Sequence, residues 1–143
     1  MLIYLDNCCF NRPFDSQEQM RIVQETDAKL FIQAQVLAGV LRLCWSYMHD
    51  FENSQNPYED RRNVIAKWKS RATVYCSSSD KIRVLGNMLV KQGIATKDAL
   101  HVACALISRC EYFITTDLKL LKKRVGDIVI INPVEFIRKM EGA

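Results

Sequence analysis

Short apolar segments rich in β-branched and aromatic residues recur along this chain, and each is followed by a longer stretch with helical spacing. No other feature constrains the fold as strongly. Parallel strands cannot be joined by a tight turn; each needs a crossover, usually a helix. Strand–helix alternation therefore predicts an α/β chain, a mainly parallel sheet with helices on both faces. At 143 residues the chain is expected to form one domain, residues 1–143, with a core large enough to need no covalent staples.

The opening run, residues 1–5 (MLIYL), predicts a buried strand that stops at a polar turn around Asn7, Asn11 and Pro13. Residues 16–39 carry Ile22, Val23, Leu30, Phe31 and Val36 between charges, which fits one long helix or two short ones. A second strand is expected at 41–45, with Ser46 capping a helix through about residue 53. Pro57 stands where a helix over 58–71 begins. A strand at 72–76 leads into a serine cluster and a helix over 81–92 that Gly93 stops. Residues 96–109 are apolar almost all round and predict a buried helix. A strand at 112–115, a short helix at 118–124, a strand at 128–131 buried on both faces and a closing helix at 134–140 complete the chain.

In parallel sheets, sites form beyond the carboxyl ends of the strands. Asp6 follows the first strand and Asp117 follows the strand at 112–115, so both acids fall on one sheet edge. Asp98 begins the buried helix in "ATKDALHVACAL", and Glu52 lies in "SYMHDFEN" after the second strand. Each has an ordinary reading. Asp98 suits a helix dipole behind Thr96, Asp117 suits an N-cap, Asp6 a turn and Glu52 a solvated face. Four acids meeting at one edge is harder to reach by accident.

Clustered carboxylates repel, and burial penalises their charge. A hard divalent cation resolves both difficulties. Magnesium or manganese near a phosphodiester lowers the pKa of a bound water and offsets charge in the displacement. The six cysteines lie mostly in apolar runs without a CxxC, so neither zinc nor disulfides are expected, and a reduced, cytoplasmic protein is. No basic region precedes the first strand, so no secretory signal is expected. No apolar run nears the length of a membrane span. A net charge of +4 permits an anionic partner without demanding one. No glycine-rich phosphate loop is present, which disfavours an NTPase.

The segments "IYLDNCCFNRPF", "DFENSQNP", "GIATKDALHVACAL", "YFITTD" and "IVIIN" together resemble the PIN-domain family, and they span nearly the whole chain. The most specific part is "KDALHVACA" followed closely by "FITTD". The resemblance implies a three-layer α/β/α fold and one or two magnesium or manganese ions. It also implies RNA cleavage and, as in the toxin half of toxin–antitoxin pairs, a small antitoxin that occludes the site. The family's acids carry over to Asp6, Glu52, Asp98 and Asp117 as catalytic residues and metal ligands, with Asp50 and Glu59 as neighbours that compete with Glu52. Many PIN proteins place a hydroxyl just after the first acid. Asn7-Cys8 stand there instead, so that role passes to Thr115, Thr116 or a water.

Asn7, Thr116 and Lys119 are the candidate substrate contacts, Lys119 heading a basic cluster with Lys122, Lys123 and Arg124. Asn7 also suits a turn, and the lysines a solvated helix face. His101, one turn after Asp98, is either a partner of the acids or a satisfied core histidine, and His49 is expected on the surface. Trp45, Trp68, Tyr47 and Tyr58 suit the core better than base stacking. Two other readings stay open: a catalytically inactive PIN-like binding module, and a phosphoryl-transfer protein with Asp6 as nucleophile. The second lacks the acid two residues on, where Cys8 stands. A homodimer is possible on either.

Overall fold

A computed structural model describes residues 1–142. Five parallel strands form its sheet: β1 (Leu2–Leu5), β2 (Arg42–Ser46), β3 (Val74–Cys76), β4 (Tyr112–Ile114) and β5 (Val129–Ile131), in the spatial order β3-β2-β1-β4-β5. The central strand β1 pairs with β2 through Ile3↔Leu43 and with β4 through Tyr4↔Phe113. The chain winds outward from β1 on one side, then returns to its other side, so the strand order reverses at β1 and β4. That reversal opens a crevice at the carboxyl edge.

Side-chain alternation along β1 assembles two cores. Leu2 and Tyr4 face a cluster with Ile82, Leu89, Val102 and Phe113, built on α5 (Asp80–Lys91) and α6 (Thr96–Ile107). Ile3 and Leu5 face the opposite cluster of Ile32, Leu43, Ile65 and Phe136, carried by α2 (Met20–Leu37), α4 (Glu59–Ala66) and α8 (Pro133–Glu141). The result is a three-layer α/β/α sandwich with an all-parallel sheet.

Several expectations need correction. The polar segment after β1 is no simple turn: α1 (Asn7–Asn11) and a 3-10 turn (Arg12–Phe14) fill it, and Asp6 caps the helix. Residues 16–39 give one helix, α2, and it starts only at Met20. The helix expected over 58–71 divides into α4 and a 3-10 turn (Lys67–Arg71). The strand at 128–131 is shorter and is not buried on both faces. As β5 it is the sheet edge, and Val129 is exposed. The helix at 118–124 reduces to one turn, α7 (Leu118–Leu121). Gly93 does stop α5, with φ of +93°. Ser46 and Ser79 cap α3 (Tyr47–Ser54) and α5 as expected. All six cysteines are free thiols. Among the described residues, no helix is long and apolar enough to cross a membrane.

Candidate functional site

The ends of β1 and β4 are locked side by side, because the Asp6 amide donates to Ile114 O at 2.9 Å. Asp6 is buried and caps α1. Its Oδ1 accepts the Asn7 amide at 2.8 Å, and its Oδ2 accepts the Thr115 hydroxyl at 2.8 Å and the Cys8 thiol at 3.5 Å. Thr115 Oγ1 in turn accepts the Asp117 amide at 3.1 Å. One hydroxyl thus ties both strand ends together. Of the two threonines, Thr115 is the one whose hydroxyl bonds Asp6.

Asp117 caps α7, its Oδ1 accepting the Lys119 and Leu120 amides at 2.9 and 3.3 Å. Asp6 and Asp117 obey one local rule. An acid between a strand and a helix start both caps the helix and stands at the sheet edge. Asp98 differs. The N-cap of α6 is Ala95, with no side-chain cap, so the half-buried Asp98 carboxyl lies in the first turn free of capping duty. Burial first, then the charges of Asp6, Asp117 and Glu52, push its pKa up to about 6 against the opposing pull of His101. Asp6, Asp117 and Glu52 therefore all lie close enough to Asp98 for their charges to act on it.

Glu52, in α3, accepts from His101 Nε2 at 2.7 Å. Burial alone would raise its pKa, but His101, Lys97 and Asn7 outweigh that and hold it below the usual glutamate value. Burial likewise opposes a charge on His101, yet Glu52, Asp6 and Asp98 raise it above an ordinary histidine. Geometry separates Glu52 from its competitors. Asp50 turns away to the Trp45 indole at 2.8 Å, the Tyr75 hydroxyl at 2.7 Å and Lys69 at 3.2 Å. Glu59 is exposed at the start of α4.

His101 is satisfied in the core and also a partner of the acids, so its two readings coincide. His49 is not on the surface. It is fully buried, donating from Nε2 to Leu5 O at 2.6 Å and accepting the Ser46 amide at Nδ1 at 3.0 Å. Burial and the neighbouring His101 lower its pKa to about 3, so it stays neutral and ties the end of β1 to α3. Tyr4 was missed. Its hydroxyl bonds Ser46 Oγ at 2.7 Å and His101 Nδ1 beneath the acids, and no sequence signal marks a strand tyrosine for that place.

Lys119 and Lys123 join Asp98 and Asp117 around a cavity of about 450 Å³. Thr116 is buried beside Cys8, its amide reaching Cys8 Sγ at 3.4 Å and its carbonyl accepting from Arg21 at 2.7 Å. Asn7 and Glu52 border a second cleft with the exposed Tyr58, over whose ring the Arg61 guanidinium lies at 4.1 Å. Of the four aromatics expected in the core, Trp45 is buried, Tyr47 and Trp68 are partly buried, and Tyr58 is exposed beside the cleft instead. Among the described residues, no three His, Cys, Asp or Glu side chains close on one point. The donors at this edge are nonetheless all carboxylate oxygens. Magnesium takes one or two carboxylates directly and keeps several waters, so this donor set fits a hydrated ion.

No protein-family profile matches the sequence, and no curated protein matches it either. Solved structures do match. A chain of VapBC2 from Rickettsia felis, crystallised bound to a DNA fragment from their promoter, superimposes with a TM-score of 0.61 at 16% identity, over 92% of this chain and 98% of that one. A chain of FitAcB from Neisseria gonorrhoeae gives 0.53 at 17% identity, covering 92% and 97%. A chain of VapBC-1 from nontypeable Haemophilus influenzae gives 0.54 at 18%, covering 93% and 98%. At such identities the likeness is one of fold, it runs end to end, and the fold it shows is that of the PIN domain.

Proposed function

We propose that this chain is a metal-dependent endoribonuclease and the toxin of a toxin–antitoxin pair. The observation that carries the reading is the carboxyl-edge cluster, in which burial first, and then the charges of Asp6, Asp117 and Glu52, push Asp98 up to about 6. Such repulsion favours a cation. Asp6, Glu52, Asp98 and Asp117 would hold a magnesium or manganese ion, which when bound lowers the pKa of a water and offsets charge on the scissile phosphate. Thr115 orients Asp6 through their 2.8 Å bond, and the Asp117 amide orients Thr115. Lys119 and Lys123 stand where they attract a phosphate chain towards acids that would otherwise repel it. The solved structures of similar fold are toxin–antitoxin proteins, which supports a small antitoxin as partner. Asp6 is ill placed as a phosphoryl-accepting nucleophile, because it is buried with both oxygens hydrogen-bonded. The test is cleavage of a panel of single-stranded RNAs by purified protein with magnesium, manganese or chelator. Cleavage that persists in chelator removes the metal from the mechanism.

A further inference from the structure

Asp6 and Asp117 are set by backbone amides of the helices they cap, and Asp98 hangs on a short side chain in the first turn of α6. Glu52 differs. It reaches the cluster on a longer chain, and freezing such a chain costs rotamer entropy. What holds it is a side chain from another helix: His101 Nε2 lies 2.7 Å from Glu52 Oε1. His101 is itself immobile. It is fully buried, its Nδ1 bonds the Tyr4 hydroxyl, and that hydroxyl lies 2.7 Å from Ser46 Oγ. The ring also packs edge-on against Tyr4 at 5.6 Å and His49 at 5.2 Å. It cannot rotate without breaking bonds at both nitrogens.

We propose that His101 is the positioning residue for Glu52, and that the Tyr4–Ser46 pair beneath it fixes the ring. β1, β2 and α6 thereby deliver one carboxylate of the cluster in a preset orientation. The bond to Glu52 requires the proton on Nε2. Nε2 faces an obligate acceptor, while Nδ1 faces a hydroxyl that can donate or accept. Partners that orient ligating carboxylates typically govern metal affinity by about 10- to 100-fold. This inference rests on the metal reading above.

Manganese binding to the full metal-free chain, followed by electron paramagnetic resonance, tests it. His101→Phe keeps a ring and removes both nitrogens, and it should weaken manganese affinity about 10- to 100-fold. His101→Gln keeps a donor and should recover much of that loss. Tyr4→Phe removes one oxygen and should give an intermediate loss. Phe136→Leu, in the opposite core, should lower the melting temperature and leave manganese affinity unchanged, as a merely structural perturbation would. His101→Phe that binds as tightly as wild type overturns the proposal, as does His101→Gln that binds no tighter than His101→Phe. Where His101→Phe does not fold, Tyr4→Phe decides, and unchanged affinity there overturns it. Wild type that binds no manganese overturns the metal reading itself, a distinguishable failure.

Discussion

Replacing Asp98 by Asn should make the metal-free protein more stable. The carboxyl lies half-buried opposite Asp6, Asp117 and Glu52, and its pKa rises from 3.8 to about 6. The folded state therefore disfavours the anion. That penalty is absent below pH 3.8, grows as pH rises towards 6, and is complete above it. At full weight such a displacement is worth roughly 3 kcal/mol. Half of the group faces water, where screening leaves about 1 kcal/mol. Asn keeps the shape and removes the charge, so in chelator at pH 7.5 Asp98→Asn should melt about 3 °C higher than wild type. Near pH 4 the gap should close. Magnesium at about a hundredfold over its dissociation constant stabilises a folded binder by about 2.7 kcal/mol, and that response should shrink in the variant. The assay is four thermal melts: wild type and Asp98→Asn, each in chelator and in magnesium. If Asp98 only complements the α6 dipole, the swap instead loses about 0.3–1 kcal/mol. A variant that melts lower in chelator, with equal magnesium responses in both proteins, refutes the reasoning.

Asp6→Asn and Asp117→Asn should each lower RNA cleavage by about a hundredfold or more, while circular dichroism stays native because Asn also caps helices. Near wild-type turnover removes that residue from the site. Glu52→Gln should lose cleavage, whereas Asp50→Asn should keep it and lose about 1 kcal/mol of stability with the weakened Trp45, Tyr75 and Lys69 contacts. The reverse outcome in the same cleavage assay would exchange their roles. A saturated complex with the product of a neighbouring small gene should be inactive on RNA that the free chain cuts; undiminished cleavage by that complex counts against an occluding antitoxin.

The layer architecture was legible because alternation of apolar segments forces crossovers, and crossovers force a parallel sheet. Asp6 and Asp117 were legible for a related reason. Each follows a strand that the hydrophobic pattern marks, and each caps the next helix, so the ordinary reading and the functional one describe a single position. Asp98 was visible from its place at the head of a buried helix. Glu52 could not be separated from Asp50 by sequence, since they stand two positions apart in one short helix and nothing in the pattern says which side meets the sheet edge. Tertiary contacts with Trp45 and Tyr75 decide it. The His101–Tyr4–Ser46 chain was illegible because it joins residues up to 97 positions apart. His49 was misplaced because a polar residue in a polar helix signals exposure. Its burial depends on the Leu5 carbonyl and the Ser46 amide, which only the packed sheet supplies. The edge exposure of β5 was equally hidden, since a run of β-branched residues does not reveal which strand ends the sheet.

We propose that four carboxylates at the reversal of strand order form a metal-dependent nuclease site. Its most direct test is the cleavage rate of one labelled single-stranded RNA by purified wild type, measured in manganese, in chelator, and in chelator followed by excess manganese. The expected result is cleavage in manganese, none in chelator, and restoration when the metal returns. Equal cleavage under all three conditions would contradict it.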